Sequence, residues 1–213
     1  MTNKVNHLEN DIMVETKGKL ELFFDKYGNK LLLGLGCVTA LAIVFFLVSS
    51  IAENREAKRE AQADAVLAVA LNGEAAAEDY VAIVEEYGKT KAGNTASYLA
   101  GAAYLKAGDL ENAKLYLEKY NDAKGAAGEI LNTLVLVLRG DLAVEQNDLL
   151  SAEALYRKAM EASNDPVTYA DAAEKLALVY QAMGEEAKAE QCYKDVVAKY
   201  PEQARSYSKL ISK

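Results

Sequence analysis

The chain has 213 residues and a net charge of −8, and only two of its residues are proline. Its first 52 residues carry five Lys against five Asp and Glu, so all of that net charge falls on residues 53–213. An acidic part of this size is excluded from holding nucleic acid or anionic lipid by long-range charge. One His and two Cys leave no set from which a zinc cluster or an internal disulfide framework can be assembled.

Residues 1–30 read as a short polar tail, and residues 31–52 as a transmembrane helix. Thirteen of those twenty-two residues are Leu, Ile, Val or Phe, none is charged, and Lys30 and Glu53 mark the ends. At ~1.5 Å per residue the stretch makes a helix of about 33 Å, against a hydrocarbon core of about 30 Å. It is too long for a secretory signal, and no small-x-small cleavage site follows Ala52. Cys37 follows Gly36 as in a lipoprotein signal, but most of the apolar run lies after that cysteine, so an anchor is expected. Four lysines (Lys17, Lys19, Lys26, Lys30) precede the span and three cations (Arg55, Lys58, Arg59) follow it, a small bias toward a cytoplasmic N-terminus. Phe23, Phe24 and Tyr27 suit the membrane–water interface. Gly36 and Ala40 form a small-xxx-small pair, the candidate contact for another membrane helix.

Residues 53–213 read as an all-α solenoid. Helix is expected from about Arg55 to Leu71, with Gly73 dividing it from a second helix ending near Tyr87, a degenerate pair over 55–87. Three repeats follow, at about 95–120, 133–163 and 170–201, and a short capping helix over 202–211. In each repeat a turn residue (Gly108, Asn147, Gly184) is followed five positions later by Ala (Ala113, Ala152, Ala189). Four further on comes a larger apolar residue (Leu117, Tyr156, Tyr193), and the turn residues are 39 and 37 positions apart. Gly or Asn at the turn supports the left-handed conformation that ends a helix. The Ala lets the second helix cross the first closely, and the aromatic or Leu one turn later fills the space between them. Gly101 and Ala177, three before Tyr104 and Tyr180, serve the same contact, which places Tyr104, Tyr156, Tyr180 and Tyr193 in inter-helix packing.

This small, small, aromatic pattern resembles the tetratricopeptide repeat, whose usual period is about 34 residues. The longer period here implies extended helices or connectors, as at Asn164-Asp165-Pro166. The resemblance implies a concave groove lined by the first helix of each pair, and Tyr98, Lys106, Asp141, Glu145, Glu174 and Gln181 occupy that face as candidate partner-binding residues. The order of tail, Phe-Phe, an Asn/Gly/Lys stretch (Phe23, Phe24, Gly28, Asn29, Lys30), one Gly-containing span and an acidic repeat domain resembles the YfgM-like ancillary subunits of the bacterial Sec translocon. That resemblance implies an inner-membrane protein with a cytoplasmic N-terminus and periplasmic repeats. It also implies protein partners: the translocon's membrane subunits and a membrane-anchored chaperone of the peptidyl-prolyl isomerase type.

No catalytic set is legible. His7 lies in the tail, apart from the repeats, and paired acids such as Glu85-Glu86 and Glu185-Glu186 diverge by about 100° on a helix. The expectation is a non-catalytic protein–protein interaction subunit with no cofactor and no metal. Two alternatives stay open: a scaffold of another envelope complex, and an N-anchored import receptor facing the cytosol. The second would need a basic carboxylate clamp, of which only Lys106 is present.

Overall fold

The structure, a computed structural model, describes residues 41–211, and the chain divides after Ala57 into two units. Of the first unit, residues 41–57 are helical. Leu41, Ile43, Val44, Phe45, Phe46, Leu47, Val48 and Ile51 are all exposed there, Phe45 to 75 %. They cover the whole circumference rather than one stripe. Among the described residues no helix is long and apolar enough to cross a membrane. The first ten residues of the expected span, Gly36 and Ala40 among them, lie outside the described residues, as does the tail 1–30.

The second unit is built of helices, and no strand occurs among its described residues. Helical residues 58–72 form α1, followed by α2 (Ala77–Tyr87), α3 (Lys91–Lys106), α4 (Leu110–Lys119), α5 (Ala126–Glu145), α6 (Leu149–Ala162), α7 (Pro166–Ala182), α8 (Glu186–Lys199), a 3₁₀ turn (Pro201–Gln203) and α9 (Ala204–Tyr207). Neighbours pack as helix hairpins, α3 on α4, α5 on α6 and α7 on α8, and each hairpin packs on the next.

One turn joins the two helices in all three of those hairpins. Gly108, Asn147 and Gly184 have φ of 77°, 58° and 77°. The amide after each donates to the carbonyl five residues back: Asp109 to Tyr104 at 2.9 Å, Asp148 to Ala143 at 2.8 Å and Glu185 to Tyr180 at 2.8 Å. These bonds close orphaned helix-end carbonyls, and the left-handed residue they require explains Gly or Asn there. Asp109 and Asp148 then cap the second helices, accepting from the amides of Asn112 and Ser151. Those bonds hold both carboxyls below their usual pKa, the side-chain bonds from Asn112 and Ser151 being the largest cause.

Ala113, Ala152 and Ala189 are buried at the hairpin crossings. At two crossings the facing helix offers glycine. A Cβ at Gly101 would come within 2.7 Å of the Leu117 side chain, and one at Gly140 within 2.5 Å of the Tyr156 ring. Both distances are shorter than carbon contacts allow, so the large residue of one helix sits directly on the backbone of the other.

Two core clusters result. Ala63, Leu67, Ile83, Val84, Ala92, Ala96, Ala100 and Tyr116 pack α1 to α4 together. A larger cluster runs through α5 to α9 and includes Met160, Leu176, Tyr156, Tyr180, Tyr193 and Tyr207. Between them a smaller cluster holds Ala113, Leu117 and Leu142, with Tyr104 and three partly buried leucines packed on it. The connector 120–125 bridges this seam with polar clamps. Asn132 Oδ1 accepts from the Tyr120 hydroxyl (2.6 Å) and the Ala123 amide (2.8 Å), while Asn94 exchanges two bonds with the Asn121 backbone.

The first helices of the repeats expected at about 95–120, 133–163 and 170–201 begin at Lys91, Ala126 and Pro166. The reasons are local: Thr90 and Asp165 are side-chain N-caps, and Pro166 stands at the first helical position, where its missing N–H costs nothing. The capping element is shorter than the expected 202–211 helix. Regular α-helix covers only Ala204–Tyr207, because Tyr207 turns inward to stack on Tyr193 at 5.8 Å between ring centres.

Candidate functional site

The first helices of successive hairpins, α3, α5 and α7, lie side by side and enclose a cleft of about 510 Å³. Its lining follows the repeat. Ala102, Asp141 and Leu178 occupy one register position in the three helices, and Lys106, Glu145 and Ala182 another one turn on. Leu105 and Val144 form a third pair, and Leu138 and Lys175 a fourth. The spacing of 39 and 37 residues that aligns the turns therefore aligns the cleft wall.

Asp141 is the most constrained group in it. Its Oδ1 accepts from the Tyr156 hydroxyl at 2.6 Å and from Lys175 Nζ at 2.8 Å. Asp141 and Lys175 are each roughly a quarter to a third exposed, so the pair is partly screened by water. Burial, and then the carboxylate it donates to, push the Tyr156 phenol far above its ordinary pKa, so it stays a donor throughout the accessible pH range. Asp171, one turn before Lys175, is pushed up by burial, an effect opposed by Lys175 and reinforced by Asp141 and Glu174.

Lys106 and Glu145 stand exposed at the C-terminal ends of α3 and α5. The wall thus offers one cation and one anion to solvent at one end and a fixed Asp–Lys pair deeper in. Leu105, Leu138, Val144, Leu149 and Leu178 supply the apolar surface between them, with Leu178 exposed to 60 %.

Of the six groove residues read from the sequence, Lys106, Asp141 and Glu145 line this cleft. Glu174 is exposed on α7 but accepts from the Tyr207 hydroxyl at 2.6 Å, tying the terminal helix to the array. Gln181 is exposed on the last turn of α7, and Tyr98 is half-buried on α3 with its phenol raised by burial; neither lines the cleft. Gly36 and Ala40 lie outside the described residues. Sequence reasoning missed Lys175 and the polar role of Tyr156. A signal existed for Lys175, since it stands one repeat after Leu138 and lies on the same face of α7 as Leu178 and Ala182.

A second cleft, of about 540 Å³, opens on α6, α7 and α8 beside Arg157, Cys192 and Lys199. Arg157 Nη2 and the Tyr180 hydroxyl both donate to Glu153 Oε1, at 2.9 and 2.8 Å. Burial pushes the Cys192 thiol up to about 11, which leaves it a packed, unreactive side chain. Among the described residues no group of three His, Cys, Asp or Glu side chains is placed to hold a metal ion.

Compared with known families, residues 95–125 and 170–203 match the tetratricopeptide repeat. The matched segments fall on α3–α4 with the connector 120–125, and on α7–α8 with the 3₁₀ turn. The chain therefore carries tetratricopeptide repeats in an all-α array, a module that binds protein partners. No curated protein and no solved structure matches the chain. The middle hairpin, α5–α6, lies outside the matched segments, and it departs from the pattern at Ala143, where Tyr104 and Tyr180 stand in its neighbours.

Proposed function

We propose that this chain is a non-catalytic, membrane-anchored interaction subunit that holds a protein partner in the α3–α5–α7 cleft. The observation that carries the reading is the cleft wall: three helices in one register present an apolar strip bordered by Lys106 and Glu145. A strip with an accessible charge of each sign suits a polypeptide segment with both apolar and charged side chains. The anchor is residues 31–52. It is supported by the uncharged apolar run of the sequence and by the exposure of every large apolar side chain over 41–51. A helix that is hydrophobic on all sides needs lipid or protein around it.

The finer reading is an ancillary subunit of the Sec translocon in the bacterial inner membrane, N-terminus cytoplasmic and repeats periplasmic. Its partners are translocon membrane subunits and a membrane-anchored peptidyl-prolyl isomerase-type chaperone. Its support is the resemblance of residues 20–52 and of the chain's layout to the YfgM-like proteins, together with the lysine bias around the span. The test is affinity purification of the full chain from mild detergent, in its natural form and with Lys106→Glu and Glu145→Lys combined. The expected result is loss of a soluble partner with retention of membrane partners. Identical partner sets would refute the cleft as a binding site. Added protease should digest the repeats in intact spheroplasts; protection until lysis would reverse the orientation.

A further inference from the structure

The N-terminal end of the array carries a second apolar surface, separate from the repeat cleft. Residues 65–71 read Ala-Val-Leu-Ala-Val-Ala-Leu, seven apolar residues in one helix. Leu67 alone among them is buried in the α1–α4 core. Val66 and Val69, which share one face, remain 42 % and 74 % exposed. Surface helices ordinarily confine their apolar residues to one stripe, so a second apolar face marks a surface that something covers.

That face is one wall of a cleft of about 440 Å³ between α1 and α2. Val66, Val69, Ala82 and Ile83 form its apolar floor. Its charged lining residues are Glu74, Asp79 and Glu86, and no Lys, Arg or His lines it. Asp79 Oδ2 accepts from the Ala76 amide at 2.8 Å, which fixes that carboxylate at the rim. Arg59 of α1 donates to the Glu86 carbonyl. From Val66 to Gly73 the floor is two helical turns long, about 10 Å at ~1.5 Å per residue.

We propose that this α1–α2 cleft docks an amphipathic helix of a basic protein partner. Apolar side chains at i, i+3 or i+4 and i+7 would lie along Val66 and Val69, and flanking Lys or Arg would meet Glu74, Asp79 and Glu86. The charge of the rim selects the occupant. A second copy of this chain would bring its own three carboxylates to the same rim, and an anionic lipid surface would be repelled. The helix-in-groove mode fits a two-turn apolar floor between two helices.

The test is fluorescence anisotropy of a labelled 18-residue peptide of Leu and Lys in amphipathic order, titrated with the full chain in non-ionic detergent, detergent alone serving as blank. Val69→Asn should weaken binding about tenfold, as loss of a central apolar contact does. Glu74→Lys with Glu86→Lys should weaken it about tenfold and flatten its salt dependence. All three positions are exposed, so the fold is expected to survive, and the far-ultraviolet circular dichroism should be unchanged. Glu186→Lys, on α8, should leave binding intact. Equal binding of a Leu/Glu peptide, or insensitivity to both cleft variants, would overturn the proposal. So would sedimentation of the full chain as a dimer that Val69→Asn dissociates, since the occupant would then be a second copy.

Discussion

The two ends of the array are built from similar hairpins but filled differently. In the α1–α4 cluster half of the buried positions are alanine, Ala63, Ala92, Ala96 and Ala100, beside Leu67, Ile83 and Val84, with Tyr116 its one buried aromatic. In α5–α9 the corresponding space holds Tyr156, Tyr169, Tyr180, Tyr193 and Tyr207 with Leu176 and Met160. A buried aromatic removes about 150–250 Å² from water, several times what alanine removes, so the second core contributes more free energy per hairpin. In a repeat array stability is close to a sum of local terms, and the two cores meet at the small cluster of Ala113, Leu117 and Leu142. The apolar surface left exposed on α1 belongs to the weaker end. A protein that keeps docking surface on its less stable half can order that half by binding, and keep the other half as a fixed platform.

The largest effect expected from that contrast is Tyr156→Ala. The ring is 2 % exposed and lies on Gly140, so its removal opens a cavity and takes one of Asp141's two partners, costing about 3–5 kcal/mol. Amide hydrogen exchange should rise throughout α5–α7 while α2 and α3 hold their protection. A uniform rise across both halves would show one cooperative unit instead of two. Ala152→Leu comes next: overpacking the α5–α6 crossing should cost about 1–3 kcal/mol by thermal melting, against under about 0.5 kcal/mol for Glu186→Ala on an exposed face. Equal melting temperatures for these two variants would break the assigned register.

Asn132→Ala attacks the seam. It removes the acceptor shared by Tyr120 and Ala123 and should cost about 1–2 kcal/mol. Its more telling sign would be separation of a single denaturant transition into two, the α1–α4 half unfolding first. The smallest effect is electrostatic. Asp148 has its pKa held below the usual 3.8 in the folded chain, so its contribution is fully present above that value and is lost as pH falls through the folded value. Asp148→Asn keeps a capping oxygen without a titrating group, and the variant should melt with a shallower acid branch below about pH 4. An unchanged acid branch would assign the loss to other carboxylates.

Much of this architecture is legible in the order of the amino acids. Gly108, Asn147 and Gly184 can be read because a left-handed turn admits few residue types, and the Ala positions because a close crossing admits few sizes. The register of the cleft wall follows from the same spacing, which is why the sequence points to Lys106, Asp141 and Glu145. Glu174 stands one position from Lys175 on α7, and a rotation of 100° separates a residue tied to Tyr207 from one in the cleft. Asn94 and Asn132 are not legible at all. Their partners are backbone groups of a connector whose path depends on where α4 stops and α5 starts, and no periodicity encodes that. The shortness of the terminal helix escapes the sequence because the pull of Tyr193 and Glu174 on Tyr207 is tertiary, while propensity alone favours continuing to 211.

Tyr156 has a further consequence. Its ring rests on the Gly140 backbone while its hydroxyl reaches the cleft at Asp141, so one rigid phenol measures both the hairpin's width and the position of the deep carboxylate. A visiting cation that drew Asp141 away would leave a buried hydroxyl without an acceptor, at a cost of about 1–3 kcal/mol. At the floor Asp141 already holds one ammonium, that of Lys175, whereas Glu145 at the edge stands exposed.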